Sequence, residues 1–176
     1  MALLSFAVLC ISLIAVHAQD PLVCPPGALS SIDKSTCYNV IRTNKTFIEA
    51  ESYCVTFSGH LCSFHNAFDN MIVNDYARNF LGVNSTFFIG GNDLMQTSQW
   101  QWTDGSDFDY DDFEWKNHQT NNKTLDGSSS PHTDCAQVST DQGVWKKVNC
   151  YNATNVCCIV PKVIPGTTVS PMHALE

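Results

Sequence analysis

Apolar and polar positions fall into patterns that predict most of the elements of this chain. Thr46 followed by Glu49 is a capping box, and it opens a helix running to about Phe57. Phe47, Ala50, Cys54 and Phe57 fall on one stripe of that helix, and Gly59 stops it. Residues 61–64 read as a short strand. Asn66 then caps a second helix to about Leu81, with Phe68, Ile72 and Phe80 turned inward. Next comes Phe87-Phe88-Ile89, a Gly90-Gly91-Asn92-Asp93 turn, and a strand through Trp100-Gln101-Trp102 that ends at Asp104-Gly105. The period-two spacing puts Phe87, Ile89, Trp100 and Trp102 on one sheet face. Residues 104–133 read as a long loop, a length that in a compact domain usually serves a function. Strands near 136–140, 144–148 and 156–160 close the pattern. Residues 163–176, rich in Pro, Thr and small side chains, read as a disordered tail.

Composition adds the compartment. Residues 3–16 are almost wholly apolar and lead into Val16-His17-Ala18, the pattern of a secretory signal peptide spanning residues 1–18. The run is short for a bilayer span, so no membrane insertion is expected. The chain has nine cysteines, and removing Cys10 with the signal leaves eight, an even set that argues for disulfides in a secreted protein. Four Asn-x-Ser/Thr sequons, at Asn44, Asn84, Asn122 and Asn152, point the same way. A net charge of −8 disfavours nucleic acid or an anionic membrane as partner.

The Phe88-Ile89-Gly90-Gly91-Asn92-Asp93 strand, followed by Trp100-Gln101-Trp102-Thr103-Asp104-Gly105, resembles the core signature of the C-type lectin-like domain family, W-I-G-L-N-D and then W-x-W-x-D-G. Phe88 stands where the family usually has Trp, and Gly91 where it usually has Leu. Asp134-Cys135-Ala136 and Trp145 before Cys150 extend the likeness over residues 24–162. It implies a single α+β domain: two helices, two small antiparallel sheets and a long loop region, stapled by disulfides. It is similar to the short secreted members found in invertebrates such as nematodes.

The resemblance also implies pairings, which counting cannot supply. Cys24 with Cys37 matches the hairpin of the family's longer form, and Cys135 with Cys150 the pair that pins the loop region. Cys54 matches the first-helix cysteine, whose partner lies in the last strand. Neighbouring strand residues face opposite ways, so Cys157 and Cys158 serve different partners. Alignment favours Cys54–Cys157 and leaves Cys62–Cys158; a register shift of one swaps the two.

In the family's sugar-binding members a calcium ion on the long loop bridges protein to sugar. Its ligands are an E-P-N or Q-P-D triplet, a Glu before the third cysteine, and an Asn-Asp pair after the Trp. Here the triplet reads Gln119-Thr120-Asn121, without the proline. Thr133, or His132 in a shifted register, replaces the Glu, and Lys146-Lys147 replace the Asn-Asp pair. Ammonium groups offer no acceptor and repel a cation. No metal or other cofactor is therefore expected at that position. The acidic run Asp104, Asp107, Asp109, Asp111, Asp112 and Glu114 lacks the glycine and closing Glu of an EF-hand and reads most simply as a solvated loop. A low-affinity calcium site there stays open.

His60, His65, His118 and His132 lack zinc spacing, and no nucleophile motif occurs, so catalysis is not expected. Two functions follow from the resemblance. One is a secreted glycan-binding lectin using Gln119, Asn121, Asn122 and Asp134 as hydrogen-bonding groups, with Trp115 or Tyr110 able to stack on a sugar. The other is a module that binds a protein ligand with no sugar. A role in innate defence comes only by analogy, and the oligomeric state is not encoded in any motif.

Overall fold

The computed structural model describes residues 21–95, 99–113 and 134–167. In chain order the elements are β1 (Leu29–Ser30), β2 (Cys37–Lys45), α1 (Phe47–Thr56), β3 (His60–Leu61) and α2 (Ala67–Leu81). They continue with β4 (Thr86–Asn92), β5 (Gln101–Trp102), β6 (Asp134–Ser139), β7 (Trp145–Asn149) and β8 (Thr154–Val160). The strands run in the order β1-β2-β8-β4-β6-β7, with β3 added to β8 and β5 to β4. The two expected antiparallel sheets are thus joined into one, because β4 pairs in parallel with β8 at Phe87↔Asn155 and Phe88↔Val156. The signal-peptide segment, Trp115, His118, Gln119, Asn121, Asn122, His132, Thr133 and the end of the tail lie outside the described residues. Backbone pairing reaches one residue past Lys162, where Val163 and Val23 exchange hydrogen bonds of 2.8 and 2.9 Å.

Each face of the sheet carries one helix and one core. Phe47, Ala50 and Cys54 of α1 pack on one face with Leu61, Phe88 and Val156. Val73 and Ala77 of α2 pack on the other with Phe87, Ile89, Trp102, Val138 and Trp145. Strand alternation divides β4 between them: Phe87 and Ile89 point one way, and Phe88 points the other, edge-on to Phe47 at 5.5 Å. The helix α1 opens on the expected capping box, with Thr46 and Glu49 satisfying each other's termini.

Four details differ from the sequence reading. The buried residues on the inward face of α2 are Asp69, Asn70, Val73, Asn74 and Ala77; Phe80 packs against the same core as expected and Ile72 is half-buried, whereas Phe68 is 62% exposed. Polar side chains take that face because they bond outward from the helix: Asp69 accepts from the Ile32 backbone N–H, and Asn70 reaches Asp112. The strand expected over residues 61–64 is only His60–Leu61. Gly90 and Gly91 lie inside β4 rather than in a turn. A Cβ on Gly90 would stand 2.6 Å from Thr103 Oγ1, and one on Gly91 3.0 Å from Ala136 Cβ, so close approach explains these glycines. Gly59 follows the same logic: its Cβ would meet the Ile159 carbonyl oxygen at 1.8 Å, while Ser58 takes the left-handed turn at φ 59°.

The disulfides are Cys24–Cys37, Cys135–Cys150, Cys54–Cys158 and Cys62–Cys157. The first two are as the resemblance implies. The last two replace the favoured Cys54–Cys157 and Cys62–Cys158 with the swapped pair. The cause is the side of the sheet on which α1 packs. Cys158 shares the core of Cys54, whereas Cys157 faces the opposite core, which holds Cys62.

Candidate ligand-binding face

The site region is organised around Trp145, the first residue of β7. Its indole is fully buried, and Nε1 donates to Asn70 Oδ1 at 3.0 Å. Its backbone N–H donates to the Asp112 carbonyl at 2.9 Å, which ties residues 104–113 to the sheet. Along that segment aromatic and acidic residues alternate. Tyr110 and Phe113 stand edge-on to Trp145 at 5.6 and 5.4 Å, and Phe108 packs on Trp102 at 4.8 Å. Asp107 and Asp109 between them face solvent. The stretch read as a solvated loop is therefore half core. Its Asp-Phe-Asp-Tyr-Asp spacing is the period-two signal that would have revealed this.

Two of the carboxylates, Asp104 and Asp109, are structural as well. Asp104 is half-buried, and burial pushes its carboxyl up. Hydrogen bonds from Ser106 and Ser63 outweigh that and leave it below the ordinary value. Ser63 Oγ donates to it at 2.5 Å, so the turn is fastened to the residue just after Cys62. A hydrogen bond from His65, Nδ1 to Oδ1 at 2.6 Å, holds Asp109 low. Burial, together with the charges of Asp112 and Asp111, pushes the Tyr110 hydroxyl up to about 12. Tyr110 is half-buried, its ring edge-on to the Trp145 indole.

At the rim of this cluster lies Trp100, 4.5 Å from Phe113 between ring centroids. The Lys147 ammonium sits 5.3 Å over its indole. Lys147 shares a sheet face with Trp145 and Asn149, by alternation along β7, and with Ala136, its partner on β6. Asp134, opposite Asn149, belongs to the same face. Its backbone N–H donates to Asp93 Oδ1 at 2.7 Å, and its carbonyl accepts from the Asp93 N–H at 3.1 Å. Lys146 projects to the other face, opposite Gln137. The structure thus gathers Asp134, Lys147, Asn149 and Trp100 at one corner. Of the expected hydrogen-bonding residues only Asp134 is among those described; Gln119, Asn121 and Asn122 are not. Trp100, Lys147 and Asn149 are not among the ligand candidates named from the sequence, where Lys146 and Lys147 stand only as replacements for calcium ligands.

This donor set does not fit the family's calcium ion. Two exposed ammonium groups occupy the positions after the Trp where the ion needs oxygens, and one of them is engaged with an indole. Among the described residues no three His, Cys, Asp or Glu side chains converge as metal ligands. The sequon asparagines Asn44, Asn84 and Asn152 are all exposed. No helix among the described residues is long and apolar enough to cross a membrane.

A disulfide-stapled α+β domain with this strand order and an indole anchor packed against residues 104–113 defines a lectin-like class of protein. The profile of the Lectin C-type domain matches residues 43–159, and the chain belongs to that family. It is 31% identical over 139 residues to ladderlectin of Oncorhynchus mykiss, covering 78% of this chain and 68% of that one. It is 27% identical over 124 residues to the galactose-specific lectin nattectin of Thalassophryne nattereri, covering 70% and 73%. Among solved structures, it resembles a calcium-independent type II antifreeze protein at a TM-score of 0.63 and 26% identity, over 81% of this chain and 98% of that one.

Proposed function

We propose that the chain is a secreted carbohydrate-binding protein that recognises sugar hydroxyls by direct hydrogen bonds, without a bridging calcium ion. One observation carries the reading: Lys146 and Lys147 stand after the Trp145 anchor, where the ion's oxygen ligands belong, and Lys147 lies on Trp100. Binding at this corner must therefore come from side chains themselves. Asp134 and Asn149 supply an acceptor and an amide there, and the reading includes the amides of Gln119, Asn121 and Asn122, which lie outside the described residues. The lectin names of the relatives support sugar as ligand class, and the calcium-independent neighbour supports a family member that functions without the ion. The signal-like residues 1–18, the disulfides and the sequons support secretion, glycosylation and, by analogy, a role in innate defence.

A second reading, recognition of a protein ligand by the same corner, is favoured by the exposed Lys pair, which suits an acidic protein surface. No catalytic role is proposed for either case. A glycan array probed with the secreted, disulfide-intact protein, with and without a calcium chelator, separates the readings. Chelator-resistant binding to a defined glycan is the expected result. Binding abolished by the chelator would overturn the ion-free site, and silence on every glycan would favour the protein ligand.

A further inference from the structure

The corner that holds Lys147 has a charge preference of its own. Lys146 and Lys147 are consecutive on β7, the last strand of the sheet order, so their side chains leave on opposite faces and straddle that edge. Both are exposed. Each has an amide beside it: Gln137 is directly opposite Lys146, and Asn149 lies two residues beyond Lys147 on the same face. Under Lys147 is the Trp100 indole, itself propped by Phe108 and Phe113 at 6.1 and 4.5 Å. Two cations, two amides and a fixed aromatic plane, against the one carboxylate of Asp134 opposite Asn149, leave a net positive set for a ligand that carries anionic oxygens on a ring with an apolar face. A bare anion would not use the indole, and a neutral sugar could accept hydrogen bonds from the ammonium groups but would leave their charge uncompensated.

The chain as a whole is acidic, with nine Lys and Arg against 17 Asp and Glu. Long-range steering therefore works against an anion, and affinity must arise from short contacts at these two lysines. Resting on the carbohydrate reading, we infer that the preferred ligand is an anionic saccharide, one bearing sulfate or carboxylate groups, held across the β7 edge by Lys146 and Lys147, with Lys147 swinging from the Trp100 indole onto the anionic group and a sugar ring taking its place there.

The test compares a galactose hexasaccharide carrying sulfate esters with its unsulfated twin, by calorimetry on the mature protein in the presence of chelator. The expected preference for the sulfated form is at least about tenfold, the worth of one charge-assisted hydrogen bond. A Lys146→Met, Lys147→Met variant keeps the aliphatic stems but removes both charges; its preference should fall to within roughly twofold. The Arg, Arg variant should keep the preference, which a merely structural role for the stems would not require. Equal affinity for the twins, or a preference that survives in the Met variant, overturns the inference while leaving sugar binding intact. Displacement of the sulfated glycan by poly-L-glutamate at matched charge would also overturn it, since an acidic polypeptide would then be recognised equally well. No binding to either twin overturns the inference, and silence across a neutral and anionic panel overturns the carbohydrate reading beneath it.

Discussion

Removing cysteines in the right and wrong combinations gives a sharp test of how β8 is held. Cys54–Cys158 closes 104 positions and Cys62–Cys157 closes 95. Taken alone, each would contribute about 4.7 kcal/mol through loop-closure entropy. They are not independent, because with one in place the other closes only a small ring. That ring comprises the eight positions from Cys54 to Cys62 and the single step from Cys158 to Cys157. On the same model a ring of roughly ten residues contributes about 2.7 kcal/mol. Cys54→Ala with Cys158→Ala removes one bridge and leaves the long loop closed, so it should lose about 2.7 kcal/mol plus roughly 1 kcal/mol for each buried sulfur truncated. Cys54→Ala with Cys157→Ala deletes the same number of sulfurs but strands Cys62 and Cys158 on opposite faces, so both bridges go. It should be about 4.7 kcal/mol less stable than the first variant, a midpoint shift of more than about 1 M in guanidinium chloride. Equilibrium denaturation of the two purified variants, with free thiols counted, measures the gap. Equal stability, or the second variant proving the more stable, would refute the pairing and the argument from the face on which α1 packs.

Other expectations follow from single positions. Gly59→Ala must displace the Ile159 carbonyl from 1.8 Å, moving β8 backbone, and should cost about 3 kcal/mol or more. Gly105→Ala, with nothing within 4 Å and only a φ of 76° against it, should cost about 1 kcal/mol; urea titrations of the two compare them. Gly91→Leu, which restores the family's usual residue, drives into Ala136, Trp102 and Phe108 and should lose roughly 1–3 kcal/mol in the same assay. Hydrogen bonds from Ser31, then Ser35, lower the Asp33 carboxyl to about 2 from an ordinary 3.8. Because the folded value is the depressed one, the stabilisation is present above about pH 4 and is lost as pH falls towards 2. Asp33→Asn should therefore flatten the acid limb of a stability–pH curve in that window, and an unchanged limb would contradict the hydrogen-bond cause.

The legible part of the fold was whatever a short window encodes. The capping box of Thr46 and Glu49, the cap at Asn66 and the alternation of Phe87, Ile89 and Trp102 each depend on neighbours a few residues apart, and each appears in the structure. What stayed hidden depends on contacts distant in sequence. Whether Cys157 or Cys158 meets Cys54 is decided by the face on which α1 docks, which no local pattern specifies. The polar part of the inward face of α2 stays hidden because Asp69, Asn70 and Asn74 look like solvent residues until the Ile32 backbone and Asp112 arrive from elsewhere as partners for Asp69 and Asn70. Gly90 and Gly91 suggest a turn by composition, and only the approach of Thr103 and Ala136 explains them inside a strand. At the candidate site, the replacement of the family's usual Asn-Asp pair by Lys146 and Lys147 is readable in the sequence itself. The aromatic underside of residues 104–113 was written in plain alternation but masked by its acid content, and the pairing of Lys147 with Trp100 spans 47 positions.

The central claim is recognition without the ion, and calcium titrated into the protein–glycan complex tests it most directly. Calorimetry should register no binding heat at the site up to millimolar calcium, and the glycan affinity should match that in chelator. A stoichiometric calcium isotherm, with glycan affinity rising alongside it, would contradict the account and restore the ion to this corner despite Lys146 and Lys147.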